Sequence, residues 1–255
     1  MPDELHLIEQ KKRIRAYLDD KFNINSDKLI GSDMYLDHLL QCIVSHKIWQ
    51  KHLTSTIPPA PMNYLNEIIS NHNQMLIMGI IGFKVPSYIM VRRSLENLLG
   101  FLYYKDHPIE LIKKEYEIGL KKPPVKFGEL QDYIKEYPFD SFYDRYDCKI
   151  MAQLLNQLMI SWKEQYRDLS NFVHGTNSKY MELNAYMDDI YADKETFQLL
   201  GENVEKFRTI SNTLLLVFFF DNYKKFIPVE KVIITSAISE GLGYKQKIQD
   251  IFGEI

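Results

Sequence analysis

At 255 residues, 45% hydrophobic and 25% charged, with a net charge of -3 and a pI near 6.2, the chain has the composition of an ordinary globular protein. That balance excludes the global positive field of a nucleic-acid coat or a membrane-surface binder, so a nucleic-acid ligand would have to be held by a local site. The two cysteines, Cys42 and Cys148, are far apart and show no CxxC spacing, which excludes a disulfide framework and a zinc ribbon and suits a reducing compartment.

The first residues, MPDELHLIEQKKRIR, are acidic early and contain no apolar run, so they do not read as a secretory signal. A cytoplasmic setting is expected. Helical periodicity dominates from there on. The stretch 33–53 predicts a helix with Met34, Leu36, Leu39, Leu40, Ile43, Val44 and Ile48 on one side and Ser32 or Asp33 as its cap. Pro58 to Pro61 predict a break, and a helix resumes over 63–81. Pro86 opens the next helix, which ends before Asp106, and another is expected over 109–119.

The segment 120–140 reads as a connector with one short helix. Its Lys121, Lys122 and Lys126 suit a solvated cluster better than a phosphate site. Residues 148–174 form one long amphipathic helix with the stripe Met151, Leu155, Leu158, Trp162, Tyr166, Leu169 and Val173. A further long helix is expected over 195–226. Its middle is apolar nearly all round, which places it inside a bundle or at a subunit interface. Its strongest run, Thr213 to Phe220, is far short of the roughly 20 residues of a membrane span, so no membrane partner is expected. Pro228 ends that helix and two short helices follow. The expected fold is an all-α bundle in a single domain over 1–255.

Within the long amphipathic helix, "YRDLSNFVHGTN" carries a second, polar stripe: Arg167, Asn171 and His174 at i, i+4 and i+7. Seven residues make about 700° of rotation, so Arg167 and His174 share a face roughly 10 Å apart along the axis. Gly175 has the profile of a left-handed C-terminal cap, ending the helix at His174. Histidine exchanges a proton near neutral pH, and arginine offers a rigid fork of donors to a phosphate. The Arg-to-His spacing alone carries little; the long helix before it, Asp168 after the arginine and the glycine after the histidine carry the rest.

In that context "RDLSNFVH" resembles the signature of the HEPN superfamily, all-α domains named for higher eukaryotes and prokaryotes nucleotide-binding. Their mark is an arginine, often followed by Asn, Asp or His, and a histidine after four to six intervening residues; here there are six. "VRRSLENLLGFLYYKDHP" is similar to the second core helix of larger bacterial members. The resemblance spans about 33–225, leaving additional helices at the N-terminal side and an extension over 226–255.

The resemblance implies a metal-independent endoribonuclease, acting as a homodimer whose two Arg-His pairs share one cleft, and serving as a toxin or phage-defence effector. His174 would be the acid/base and Arg167 the electrostatic stabiliser. Asp168 and Asn171 would be supporting polar groups. Glu96 stands either to pair with Arg167 or His174 across the bundle or to make a structural salt bridge. Arg93 and Asn97, nearly on the face of Glu96, are expected substrate contacts, as are Asn177 and Lys179. The expected partners are RNA, a second copy of the chain and a regulatory or antitoxin protein. One toxin branch carries a tyrosine two residues past the histidine. Here that position is Thr176 and the nearest tyrosine is Tyr180, which argues against the partner nucleotidyltransferase of that branch. A non-catalytic HEPN module that binds a nucleotide or RNA, or scaffolds a protein, is the alternative.

Other groups carry less. His38, His46 and His52 lack metal-ligand spacing, and no metal or cofactor is expected. "GLGYKQK" lacks the strand and remaining residues of a phosphate loop and reads as a turn.

Overall fold

The chain folds into helices α1 (Pro2–Phe22), α2 (Asp33–Leu53), α3 (Pro59–Ile80), α4 (Lys84–Tyr104), α5 (Pro108–Gly119) and α6 (Phe127–Lys135). These are followed by α7 (Cys148–His174), α8 (Lys194–Phe218), α9 (Phe220–Tyr223), α10 (Pro228–Ser236) and α11 (Tyr244–Phe252). The computed structural model describes residues 2–24, 31–119, 125–137, 147–175, 177–186 and 189–253, without the side chains of 2–7, 117–119 and 179. Among the described residues there is no strand, and the all-α class expected from periodicity holds.

Two proline positions differ from expectation for one reason. The helix expected to resume after Pro58–Pro61 starts inside that run, with Pro59 in its first turn, and α4 begins two residues ahead of Pro86. The first N–H groups of a helix have no partner within it, so proline there sacrifices no hydrogen bond.

α7 is bounded as its local chemistry dictates. The Asp147 carboxylate accepts from the backbone N–H groups of Lys149 (3.0 Å) and Ile150 (2.9 Å). At the other end Gly175 is left-handed (φ 52°, ψ 40°), and its N–H turns back to the carbonyls of Asn171 and Phe172.

The helix expected over 195–226 is broken instead at Phe219 (φ -127°, ψ 34°), where there is neither Pro nor Gly. Three consecutive rings there reach four different partners. Phe218 lies 4.5 Å from Tyr137, Phe219 lies 5.7 Å from Phe101 and 6.4 Å from Trp49, and Phe220 stacks 3.9 Å from Phe252. Tertiary packing sets this break.

α3 lies along α4, α2 packs on both α3 and α8, and α4 touches α7 and α8. α10 covers α2, and α11 covers α7. Every residue from Phe207 to Phe220 is buried by the chain itself. This decides between the two places expected for that apolar stretch: it is bundle interior and offers no face to a second subunit.

The interior carries polar groups as well. Asn212 accepts from the Trp49 indole at 3.1 Å and donates to Ser45 Oγ (3.1 Å) and the Arg208 carbonyl (2.9 Å). His46, 1% exposed, stacks on His72, also 1% exposed, at 6.1 Å and on Phe207 at 5.7 Å, and the His72 ring lies tilted 5.0 Å from Phe207. Each places Nδ1 2.7 Å from the carbonyl one turn back, Cys42 for His46 and Ile68 for His72. Burial pushes His46 down to about 3, helped by the neighbouring His72, and pushes His72 down to about 4. Both imidazoles are therefore neutral at physiological pH, with Nδ1–H donating to the carbonyl.

Candidate functional site

The outward face of α7 presents Arg167, Asp168 and His174 to solvent, with Asn171 half-buried between them. Nε of Arg167 lies 3.5 Å from Asp168 Oδ1, with the two side chains 71% and 60% exposed. Water screens such a pair, and it holds the guanidinium only weakly. Asp168 also borders a cavity of about 150 Å³ between α7, α8 and the turn Glu240–Leu242, with Glu164 and Lys206. Asn177, just beyond the helix, is exposed, and Ser178 Oγ lies 3.5 Å from its Oδ1. Thr176, Lys121, Lys122 and the side chain of Lys179 lie outside the described residues.

Behind this face, α7 is held to α4 by polar contacts. The Tyr166 hydroxyl donates to Glu96 Oε1 at 3.0 Å and accepts from Arg92 Nη2 at 2.9 Å. The Arg92 guanidinium also lies 4.9 Å from the centre of the Tyr166 ring. Arg92 Nε stands 3.4 Å from the same Glu96 oxygen, an i,i+4 pair on α4. One turn earlier, the Trp162 indole donates to the Leu95 carbonyl at 3.0 Å. Burial raises the Tyr166 phenol above its ordinary value, so it stays a hydroxyl donor towards the carboxylate.

Of the two roles open to Glu96 from sequence, the structure forms the salt bridge. Its carboxylate is taken by Arg92 and Tyr166 rather than by Arg167 or His174. Tyr166, which periodicity places in the packing stripe, also acts through its hydroxyl. The signal available for this was the Arg92/Glu96 spacing, an ion pair waiting for a donor from another helix.

Arg93, Glu96 and Asn97 do come together, in an open cleft of about 400 Å³ between α3, α4 and α5. Arg93 there pairs with Glu67 of α3. Lys114 of α5 donates to the Tyr64 hydroxyl at 2.8 Å and lies 5.0 Å from the centres of the Tyr64 and Tyr104 rings. The Asn97 amide nitrogen is buried and finds no acceptor among the described residues. Arg167 and His174 do not line this cleft. The residues expected as one site therefore fall into two: an exposed Arg-His face on α7, and a mixed-charge cleft on α4.

Among the described residues, no group of three or more His, Cys, Asp or Glu side chains is gathered to hold a metal ion. Nor is any helix among them long and apolar enough to cross a membrane.

At the level of class, this is an all-α protein with a solvent-facing Arg-His pair at the capped end of its longest described helix. No protein-family model, curated protein or solved structure matches the chain.

Proposed function

We propose that this protein is a HEPN-type endoribonuclease working without a metal ion, in which two copies bring their Arg167 and His174 pairs into one cleft. The supporting observation is that both side chains stand on one face at the end of α7 while packing and α4 attachment are carried by other residues. In the reaction, the ribose 2′-OH attacks the adjacent phosphorus and the bond to the 5′-oxygen breaks, leaving a 2′,3′-cyclic phosphate. His174 moves the proton at the attacking or leaving oxygen. Arg167 stabilises the charge that builds on the non-bridging oxygens. The need for a 2′-OH makes RNA the substrate and spares DNA. A toxin or phage-defence role, restrained by a regulatory protein, accords with the HEPN resemblance.

The test is incubation of the purified protein with total RNA and tRNA in EDTA, beside Arg167→Ala and His174→Ala. Cleavage lost in both variants supports this reading, and intact RNA with the parent protein sinks it. A second reading, a non-catalytic module that binds a nucleotide-sized ligand, is favoured by the 400 Å³ cleft with its unpartnered Asn97 amide. It predicts nucleotide binding that Asn97→Ala weakens and Arg167→Ala leaves alone.

A further inference from the structure

Beside the motif, α6 presents an aromatic residue that its own packing only half covers. Leu130 and Ile134 bury the inner face of α6, while Phe127, at its first position, remains 39% exposed. Phe127 lies 5.7 Å from the ring of Tyr166, the residue directly before Arg167, and 6.3 Å from Trp162. Trp162 and Tyr166 are themselves stacked at 4.9 Å with an interplanar angle of 8°. A short aromatic column therefore runs out of the core beside the Arg167 face and ends at Phe127. The next residue, Gly128, is also exposed, and a Cβ added to it would meet nothing within 4 Å.

Two cations flank this column. Lys126 immediately precedes Phe127, and Lys163 immediately follows Trp162. Both are exposed, and neither forms an ion pair among the described residues. On α7, Lys163, Arg167 and His174 fall within about 40° of one another, with Lys163 about 6 Å before Arg167 along the axis. That step is comparable with the separation of neighbouring phosphates in an extended strand. Rings that accept a base on one face, set among cations that track a backbone, are how proteins hold single-stranded nucleic acid.

We infer that Phe127, Lys126 and Lys163 form a subsite for single-stranded RNA next to the Arg167–His174 face, with an unpaired base stacked on Phe127 and neighbouring phosphates on the lysines. The inference rests on the endoribonuclease reading and adds a substrate class to it, because a base held in a duplex cannot stack on Phe127.

The experiment measures binding of a fluorescein-labelled oligouridine to the full chain carrying His174→Ala, in EDTA, alongside cleavage of the same oligonucleotide by the otherwise unaltered chain. Phe127→Ala is expected to weaken binding about tenfold, while Phe127→Trp keeps it and shows fluorescence quenching as RNA is added. Lys126→Gln and Lys163→Gln are each expected to reduce the salt dependence of log K by about 0.7. Annealing the complementary strand should weaken binding at least as much as Phe127→Ala. Equal affinity for duplex and single strand, or a Phe127→Ala chain that binds like its parent, overturns the subsite even where Arg167 and His174 prove essential for cleavage. A chain that neither binds nor cuts RNA overturns the subsite and the endoribonuclease reading together. A Phe127→Ala defect that Phe127→Trp does not restore marks the residue as structural and also overturns the subsite.

Discussion

The hydroxyl of Tyr166 donates to the carboxylate of Glu96 at 3.0 Å across the α7–α4 interface, one residue before the exposed Arg167. With Arg92 on the other side of the same oxygen, this contact fixes the rotation of α7 about its axis, and so the direction in which Arg167 leaves it. Tyr166→Phe keeps the ring stack on Trp162 but takes from Glu96 and Arg92, which stay paired with each other, the hydroxyl that both contact. The expected cost is about 1–2 kcal/mol, read as a lowered urea midpoint with an unchanged slope. Glu96→Gln, which keeps an acceptor, should cost less. A Tyr166→Phe chain as stable as the parent would show that the hydroxyl does not anchor the helix.

The buried imidazoles set an acid limit on stability. His46 and His72 are held at about 3 and about 4 in the fold, while a histidine in an unfolded chain titrates near 6.5. Below that value the unfolded state binds protons that the native state refuses. Stability is thus unaffected at alkaline pH and falls as pH drops from about 6.5 towards 4. The slope approaches roughly 1.4 kcal/mol per pH unit for each histidine. Urea denaturation at several pH values, with the parent and with His46→Phe/His72→Phe, checks this: the double variant should lose most of the slope. An undiminished slope would assign the acid sensitivity to other groups.

Much of the fold was legible because its determinants are local. The C-terminal end of α7 follows from Gly175, and of the stripe read from spacing Met151, Leu155, Leu158, Trp162 and Leu169 are buried while Tyr166 and Val173 are half-buried. What escaped the sequence was set by partners distant along the chain. The break at Phe219 answers to Trp49, Phe101 and neighbouring rings on other elements, and no local breaker announces it. His46 and His72 sit on different helices, and periodicity does not say which faces will meet. The same limit applies at the site. Arg93, Glu96 and Asn97 share a face of α4 by spacing alone, but whether that face meets Tyr166, Glu67 or Arg167 depends on how the helices are arranged.

One tight contact makes a sharp test of that arrangement. The fully buried Tyr35 crosses from α2 to α3 and donates to the Met75 carbonyl at 2.5 Å, and its ring lies over Gly79, one turn further along α3. A Cβ at Gly79 would fall inside van der Waals contact with the phenol oxygen and ring. Although alanine is the better helix former, Gly79→Ala should destabilise by about 1–3 kcal/mol, since neither helix can retreat cheaply. Tyr35→Phe removes one of the clashing atoms, so Gly79→Ala combined with Tyr35→Phe should cost less than the sum of the two single changes. Strict additivity in thermal melts would mean that the two residues do not meet.

The Arg-His face permits a cleaner separation of stability from chemistry than most sites. Arg167 is 71% exposed at its side chain, its pairing with Asp168 is solvent-screened, and His174 is exposed at the last position of α7. Arg167→Ala and His174→Ala should therefore each shift unfolding by no more than about 0.5 kcal/mol, the ordinary range for surface positions. A proton-transfer residue and a transition-state stabiliser, by contrast, are each worth about a hundredfold or more in rate. The joint expectation is superimposable melting curves with at least a hundredfold loss of RNA cleavage in either variant. Arg167→Lys should recover only part of the rate, because a point charge cannot reproduce a forked pair of donors on a phosphate. Variants that lose activity and stability in step would place both residues in the scaffold, and the face would have to be read as the polar end of a helix.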